Sequence, residues 1–270
     1  MHVVWLTGMP RSGTTWVSQF FAASPHIRVK FCPLFSYAFK NSMTENNDAD
    51  SWCSFFKRVY ETSDDYMDQI YLSKSGLIPE FRNKDEDPGT LLIKSNRQHH
   101  LTESLMVKMT ELRMIALIRN PLATINSWIC NPTEFPPDAD PLQEWRTGSC
   151  RKNGVGEFWG FDDWKSVTLM HLSLEKKFPE RFFIHTYEDI MQDPYEQARL
   201  MYQRIGVPYD QYVDDFITKS RSRHDEHPRS VYKSNLKSDK WKLQLDPRII
   251  NCIHTDLAGT VLEKFIDHQE

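Results

Sequence analysis

Residues 3–17 have the sequence VVWLTGMPRSGTTWV, and this stretch decides the fold. The apolar run before Gly8 predicts a buried strand, while the helical spacing of large apolar residues over 14–23 predicts a helix. Gly8 and Gly13 allow the turn between them to bring backbone N–H groups towards the positive end of the helix dipole. The stretch therefore predicts an anion site, with phosphate as the expected ligand.

Side chains of the same turn support phosphate binding. Arg11 supplies a positive charge that does not titrate, and Thr14 and Thr15 add hydroxyl donors where the helix begins. A glycine-containing turn without a ligand is the alternative. The glycine spacing is that of a nucleoside-triphosphate loop, but Gly13 is followed by Thr14 and not by the lysine that reaches the β- and γ-phosphates. ATP hydrolysis and phosphoryl transfer are therefore disfavoured.

Residues 10–16, PRSGTTW, resemble the 5′-phosphosulfate loop of the sulfotransferases that use 3′-phosphoadenosine 5′-phosphosulfate (PAPS). Cytosolic members usually carry lysine at the position of Arg11, while carbohydrate-type members often carry arginine. The resemblance implies that PAPS donates the sulfuryl group, that 3′-phosphoadenosine 5′-phosphate (PAP) is the product, and that no metal takes part. It also implies a set of donor-binding residues in this loop, namely Arg11, Ser12, Gly13, Thr14, Thr15 and Trp16.

A second motif follows the fourth predicted strand. Pro121 suits the first turn of a helix, and the pattern from Arg119 to Ser127 resembles the 3′-phosphate motif of the same family. After the fifth predicted strand, Tyr187 begins a segment similar to the family's Tyr-Glu-Asp-Leu, whose tyrosine lies against the adenine ring. The resemblance implies that Arg119 and Ser127 bind the 3′-phosphate and that Tyr187 contacts adenine.

The stretch 221–242 is basic and loop-like. A basic face in solvent is the usual meaning of such a run. In the sulfotransferase family, however, a late basic loop that ends in tryptophan closes over the 3′-phosphate. Ser234, Lys237 and Trp241 loosely resemble the carbohydrate-type version of this loop, and the resemblance implies that they also bind the donor.

The predicted strand 91–94 delivers polar residues to the carboxyl edge of the sheet, where ligands gather in open α/β folds. Lys94 ends this apolar strand and is predicted to face the crevice and assist catalysis. Cytosolic relatives have a catalytic histidine two residues later, but this chain has Asn96. His99 or His100 is predicted to act as the base instead. An acidic residue of a neighbouring insertion, and two histidines on a helix surface with no catalytic role, are the alternatives.

Two segments interrupt the alternation of strands and helices. Residues 37–90 carry interleaved aromatic residues, with eleven acidic and five basic residues between Asn41 and Thr90. Amphipathic helices with a solvated acidic face are the simpler interpretation, and an insertion that covers the substrate and favours a neutral or cationic acceptor is the sharper one. Residues 131–160 are rich in Pro and Gly and predict a loop, either a lid or a surface excursion.

Composition excludes some classes of partner. A formal charge of −4 leaves no basic excess for binding nucleic acid. No apolar run approaches the roughly 20 residues that span a bilayer, and the run at 2–7 is too short for a signal peptide and is already assigned to the first strand. The expectation is a cytoplasmic chain with a small-molecule acceptor and no nucleic-acid or membrane partner.

The alternation of strands and helices predicts an α/β fold, with a parallel sheet of about five strands like that of P-loop NTPases, helices on both faces, and one domain over 1–270. The predicted strands are 2–7, 28–31, 91–94, 113–118 and 181–186, and the last predicted helix is 246–266. The predicted function is transfer of a sulfuryl group from PAPS to a hydroxyl or amine of a small acceptor. A cationic, nitrogen-rich natural product is the first candidate acceptor, ahead of an anionic glycan. A carbohydrate O-sulfotransferase, a small-molecule kinase and a nucleotide-binding protein without catalysis are the alternatives.

Overall fold

The computed structural model of the chain describes residues 1–234 and 239–266. Five strands form one parallel sheet in the order β2-β3-β1-β4-β5. The strands are β1 (His2–Gly8), β2 (Ile27–Phe31), β3 (Thr90–Ser95), β4 (Arg113–Ile118) and β5 (Phe182–Thr186). The predicted α/β class with a five-stranded parallel sheet is confirmed.

Helices connect the strands and cover both faces of the sheet. They are α1 (Thr14–Ala23), α2 (Ala49–Glu61), α3 (Ile70–Lys74), α4 (Thr102–Lys108), α5 (Pro121–Ile129), α6 (Pro141–Glu144), α7 (Gly160–Lys177), α8 (Tyr187–Gln192), α9 (Pro194–Ile205), α10 (Gln211–Ser222), α11 (Trp241–Gln244) and α12 (Pro247–Leu257). Short 3₁₀ helices lie at Pro33–Phe35, His99–Leu101, Ser149–Arg151 and Glu263–Phe265.

The central strand β1 is apolar on both sides because both of its faces are buried. Val4 and Leu6 point into a core that contains residues of α1, α9 and α10. Trp5 points the other way, into a second core with Trp52 of α2 and Met106 of α4. A strand buried on both faces gives a continuous apolar run and no alternation, which is the pattern seen at the start of the sequence.

Since all five strands run in one direction, their carboxyl ends meet along one edge of the sheet. The turns after β1, β3, β4 and β5 therefore lie side by side at this edge, and each carries one of the predicted motifs. The edge is where ligands bind in open α/β sheets.

Two interrupting segments contain more regular structure than a loop. In the region 37–90, α2 begins at the N-cap Asp48, whose side chain accepts a hydrogen bond from the Ser51 backbone N–H at 2.9 Å, and it buries Trp52 and Phe56. This is the amphipathic helix of the simpler interpretation. The predicted loop 131–160 contains α6 and the turn Ser149–Arg151.

The predicted C-terminal helix over 246–266 is wrong in length. Helix α12 ends at Leu257, and a separate 3₁₀ turn, Glu263–Phe265, follows it. Gly259 adopts a φ of +71°, a left-handed conformation that glycine takes without strain and that an α-helix does not contain. The basic loop predicted from residue 221 begins after Ser222 in the structure, because α10 continues to that residue.

Candidate functional site

The turn between β1 and α1 has the backbone of an anion-binding loop. Arg11 and Gly13 both have positive φ, at 70° and 92°, and Gly13 caps α1 without any side-chain hydrogen bond to the first amides of the helix. The first N–H groups of a helix have no partner within the helix. They can therefore donate to an anion, and the helix dipole favours negative charge at this end.

Gly13 is required by the close approach of Tyr187. A Cβ atom at Gly13 would collide with the aromatic ring of Tyr187, which is 6% exposed and begins α8. The guanidinium of Arg119 lies 4.6 Å from the centroid of this ring, and Trp16 packs edge-on against it at 6.4 Å. The ring is thus held between the phosphate loop and the turn after β4.

The second motif contacts the first one directly. Arg119 donates from Nη1 to the backbone oxygen of Arg11 at 2.9 Å, and Arg11 donates from Nε to Oγ of Ser127 at 3.1 Å. Asn120 caps α5, since its Oδ1 accepts from the N–H groups of Leu122 and Ala123. The cap sets where α5 begins and hence where Ser127 lies.

Several polar atoms at this edge are buried without a hydrogen-bond partner among the described residues. They include Nε of Arg119 in the second motif. Burying an unpaired polar atom costs free energy, so orphaned donors beside an uncapped helix start fit a bound anion. The fit to a phosphate or sulfate group is therefore chemical as well as geometric.

A cavity of about 810 Å³ opens at this edge. Most of the site residues predicted from sequence line it. The predicted residues in its wall are Arg11, Gly13, Thr14, Thr15, Trp16, Lys94, Arg119, Ser127, Tyr187 and Trp241. The turns after β1, β3, β4 and β5 and the short helix α11 therefore converge on one space.

Four other predicted site residues do not line the cavity. Ser12 is 1% exposed, and Ser234 is exposed outside the cavity wall. Lys237 lies outside the described residues. His99 and His100 do not line the cavity.

The histidine predicted as a base is enclosed in the protein. His99 is 1% exposed, its Nδ1 lies 3.3 Å from Oγ1 of Thr7, and its ring packs against Phe158 and His171. Burial, followed by the charges of His171 and His100, holds the pKa of His99 well below its ordinary value. The imidazole is neutral at pH 7 but has no face on the cavity.

Lys94 is a buried cation whose ammonium lies near the cavity. Its side chain is 2% exposed, and Nζ lies 4.3 Å from the centroid of the Phe31 ring. Burial lowers the pKa of Lys94 to about 8, and the charges of Arg97 and Arg11 act in the same direction, against Glu134. Nζ makes no hydrogen bond to a residue of the described ranges, so its donors can face a ligand.

Glu134 is a cavity residue that the sequence analysis did not single out. Its carboxylate lies 3.4 Å from Nη1 of Arg11, and its side chain is 22% exposed. Oε2 has no properly oriented hydrogen bond in the described part of the chain, so the contact with Arg11 is electrostatic. Burial lowers the pKa of Arg11, and Glu134 opposes this shift. Because Glu134 follows α5 in an irregular segment, no periodicity marks it.

The cavity wall is strongly basic. Within the described ranges, the only carboxylates that line it are Glu134 and Glu226. Among the residues that the structure describes, eight lysines and arginines line it, and the sequence analysis singled out only three of them for the site. The eight are Arg11, Lys94, Arg97, Arg119, Arg151, Arg229, Lys233 and Lys240.

The acidic segment 37–90 does not make the cavity acidic. It contributes Tyr66, Gln69, Tyr71 and Leu72 to the wall, and none of its carboxylates. The expectation of a cationic acceptor relied on those carboxylates facing the substrate. It loses that support because these carboxylates point to solvent or to partners outside the cavity, as in the ion pair of Asp68 with Lys30 of β2.

Among residues 1–234 and 239–266, none of the helices combines the length and the apolar composition needed to span a bilayer. No group of three or more His, Cys, Asp or Glu side chains within these ranges is arranged to hold a metal ion.

A family model described as "Sulfotransferase domain" matches residues 2–263. A stretch of 148 residues is 25% identical to carbohydrate sulfotransferase 3 of Tetronarce californica, which covers 53% of this chain and 33% of that relative. The match thus spans a third of the relative's length.

Solved structures share the fold at low sequence identity. A mouse sulfotransferase, SULT7A1, complexed with PAP, is 13% identical with a TM-score of 0.56, over 100% of this chain and 89% of that one. A sulfotransferase from Alicyclobacillus acidocaldarius is 12% identical with a TM-score of 0.52, over 100% and 97%. Retinol dehydratase in complex with androsterone and inactive cofactor PAP is 11% identical with a TM-score of 0.52, over 96% and 82%.

Proposed function

The chain belongs to the sulfotransferase domain family, and from this premise we propose that it transfers a sulfuryl group from PAPS to a hydroxyl or amine of a small acceptor. The observation that carries the proposal is the chain of hydrogen bonds from Arg119 to Arg11 and from Arg11 to Ser127. It joins the two phosphate motifs at one cavity that also contains Tyr187. Two relatives of the same fold were solved with PAP.

We assign the donor to the half of the cavity formed by the turns after β1, β4 and β5. The amides at the start of α1, with Thr14 and Thr15, would hold the 5′-phosphosulfate, because a helix start and hydroxyls both donate to anions. Arg119 and Ser127 would hold the 3′-phosphate, and Tyr187 would contact adenine. Trp241 lines the same cavity, and Ser234 and Lys237 stay predictions for the segment that closes over the donor.

PAPS supplies the sulfuryl group, and the protein supplies position and charge. Arg11 and Lys94 both line the cavity, and they lie close enough together for the charge of Arg11 to lower the pKa of Lys94. Fixed positive charge in a site that excludes water stabilises negative charge as it shifts to the leaving phosphate. We therefore assign this role to Arg11, assisted by Lys94.

The acceptor must lose a proton, and we propose that Glu134, and not His99 or His100, is the base that accepts it. The carboxylate lines the cavity, lies 3.4 Å from Arg11, and is close enough to Lys94 to raise its pKa. It therefore lies near both cations. A base must come within hydrogen-bond reach of the acceptor, and the two histidines have no surface on the cavity.

Other functions remain testable alternatives. A carbohydrate acceptor is favoured by the relative named carbohydrate sulfotransferase 3. A small-molecule kinase shares the glycine loop but would need magnesium and a lysine after Gly13. A nucleotide-binding protein without catalysis would bind PAP and form no product. A small-molecule acceptor without nucleic-acid or membrane partners, and a cytoplasmic location, stay predictions from the sequence.

The first experiment measures the melting temperature of the full chain with PAP and, separately, with ATP and Mg²⁺. Stabilisation by PAP alone supports the donor assignment, and stabilisation by ATP with Mg²⁺ alone supports the kinase. Radiolabelled sulfate transfer from PAPS is then measured across sugars, phenols, alcohols and amines. Transfer to any of them separates an enzyme from a binding protein.

Variants test the assigned roles in the same transfer assay. Arg11→Ala should lower turnover by about 100-fold or more, while Arg248→Ala, at an exposed arginine of α12 outside the cavity, should not change it. Glu134→Gln should lower turnover by roughly 100-fold and keep the stabilisation by PAP. Full activity of Glu134→Gln together with a loss in His100→Gln would return the base to the histidines.

A further inference from the structure

The strand order divides the cavity into two halves. In the order β2-β3-β1-β4-β5, the donor motifs follow β1, β4 and β5. The turns after β2 and β3 lie on the other side of β1, and they contribute Phe31, Phe35, Lys94, Asn96 and Arg97 to the wall. If the donor occupies its proposed half, the acceptor lies between these two turns and the segment 131–160.

Arg97 is held in place in the wall of this acceptor half. Its guanidinium stacks on the ring of Phe35 at 3.8 Å and pairs with Glu157, and the side chains of the pair are only 13% and 9% exposed. Next to it, the N–H of Gln98 donates to the backbone oxygen of Gly156 at 2.7 Å. These contacts hold the segment 131–160 against the turn after β3.

Arg151 is brought to the same half by that segment. Burial raises the pKa of Glu157, but hydrogen bonds from Asn153 and Arg97, and the charges of Arg97 and Arg151, lower it overall. Arg151 therefore lies near the Arg97–Glu157 pair. It lines the cavity beside Trp159, and its buried Nε has no hydrogen-bond partner among the residues described.

The charge balance of the acceptor half is positive. Lys94, Arg97 and Arg151 line it, and Glu157 neutralises only one of these charges. Glu134 lies at the boundary with the donor half, where it is paired with Arg11. The uncharged part of this half is made of Phe31, Phe35, Tyr66, Gln69, Asn96 and Trp159. Arg229 adds a further positive charge, which acts on the pKa of Tyr66.

We propose that the acceptor is a small anion, an alcohol or phenol that carries a carboxylate, phosphate or sulfate group, and that Arg151 binds this group. The inference rests on the proposed function, because the donor must fill the other half. An unpaired, buried arginine donor costs free energy until an anion pairs with it. The aromatic wall covers the apolar body of the acceptor, and Lys94 directs its nucleophile towards the donor half.

The experiment measures binding of matched probes to the full chain saturated with PAP. The probes share a hydroxyphenyl body and differ in charge: 3-(4-hydroxyphenyl)propionate, its neutral primary amide, and tyramine. The carboxylate should bind roughly ten-fold or more tightly than the amide at low salt, and tyramine should bind most weakly. A fourth probe, 4-hydroxybenzylphosphonate, distinguishes a preference for phosphate-like groups from a preference for carboxylates.

Arg151→Gln should remove most of the advantage of the anionic probes over the amide. The matched control is Arg28→Gln, because Arg28 also stacks on an aromatic ring, Tyr60, at 3.9 Å but does not line the cavity. The control should keep the full preference. The stabilisation by PAP is measured first for each protein, since it reports the fold and the donor site.

The outcomes separate the two proposals. If PAP does not stabilise the unmodified protein, the proposed function itself is contradicted. A normal PAP effect with equal binding of all probes, with a preference for tyramine, or with no binding of either anion overturns the anionic acceptor alone. An anion preference that survives Arg151→Gln also overturns the role of Arg151.

Discussion

Replacing Gly13 by alanine tests whether the phosphate loop and Tyr187 form one unit. The new methyl group would lie well inside the van der Waals contact distance of two ring carbons of Tyr187, and Gly13 has a φ of +92°. Gly76 is a matched control, because its φ is +68° and a Cβ there meets no atom within 4 Å. Gly76→Ala therefore introduces backbone strain alone, while Gly13→Ala introduces strain and a collision.

The expected loss in the free energy of unfolding follows from the contacts that the Tyr187 ring would lose. The left-handed backbone costs an alanine roughly 1–2 kcal/mol at either position. To relieve the collision, the Tyr187 ring must leave Arg119, 4.6 Å away, and Trp16, 6.4 Å away. A cation–π contact contributes about 0.5–2 kcal/mol and an aromatic pair about 0.5–1.5 kcal/mol. We expect Gly13→Ala to lower the free energy of unfolding by about 1–3 kcal/mol more than Gly76→Ala does.

The same displacement should weaken nucleotide binding. Stacking on a base contributes about 1–3 kcal/mol, so the Kd for PAP should rise roughly ten-fold or more in Gly13→Ala and should not change in Gly76→Ala. Urea unfolding gives the stability of each protein, and calorimetric titration gives the Kd. The combined variant Gly13→Ala with Tyr187→Ala removes the collision, so it should be less destabilised than the sum of the two single changes.

The reasoning fails if Gly13→Ala resembles Gly76→Ala in both measurements. It fails in part if Gly13→Ala is strongly destabilised but binds PAP normally, because Tyr187 would then have a packing role only. Additive effects in the combined variant would show that the methyl group does not act through the ring.

Two further predictions concern pH. Lys94 has a pKa of about 8 because it is buried. Its positively charged form is the active one, so kcat/KM should fall above about pH 8. Lys94→Arg should move this fall to higher pH, and a fall at the same pH in the variant would contradict the role of Lys94. His171 is 1% exposed with both ring nitrogens unpartnered among the described residues, and burial lowers its pKa to about 3. Since the unfolded pKa is near 6.5, its stability contribution is present above that pH and is lost as the pH falls towards 3, about 2 kcal/mol by pH 5. Urea unfolding measures the free energy of unfolding of His171→Leu and of the unmodified protein at pH 7 and pH 5. Between these pH values the variant should lose about 2 kcal/mol less than the unmodified protein, and an equal loss in both proteins would contradict this account.

The fold was accessible from the sequence because its signals are local. The apolar runs that became β1, β3, β4 and β5 are long enough to mark buried strands, and the turns after them carry glycine, proline or charged residues. Helix caps are similarly local, and Asn120 with Pro121 marks the start of α5. The length of the last helix was wrong because Gly259 ends it, and a single glycine within an otherwise helical pattern is a weak signal.

The positions of the candidate base residues depend on packing between distant parts of the chain. His99 follows a central strand and carries the side chain best suited to a base at neutral pH, yet its ring packs under the sheet edge against Thr7, 92 residues away in sequence. Glu134 meets Arg11 because the segment after α5 turns back over the phosphate loop. No pattern of neighbouring residues encodes either contact.

The sequence by itself determined the alternation of strands and helices that gives the parallel sheet, the turn at Arg11 to Trp16, and the strand-to-helix junction from Arg119 to Ser127, because each depends on residues close together in the chain. Only the tertiary structure decided the charge of the cavity. The acidic segment 37–90 turns its carboxylates away from it, and the segment 131–160 brings Arg151 into it. The physical reason is that burial and ion pairing depend on which side chains are in contact in the folded protein. The spacing of residues along the chain does not show which distant side chains these are.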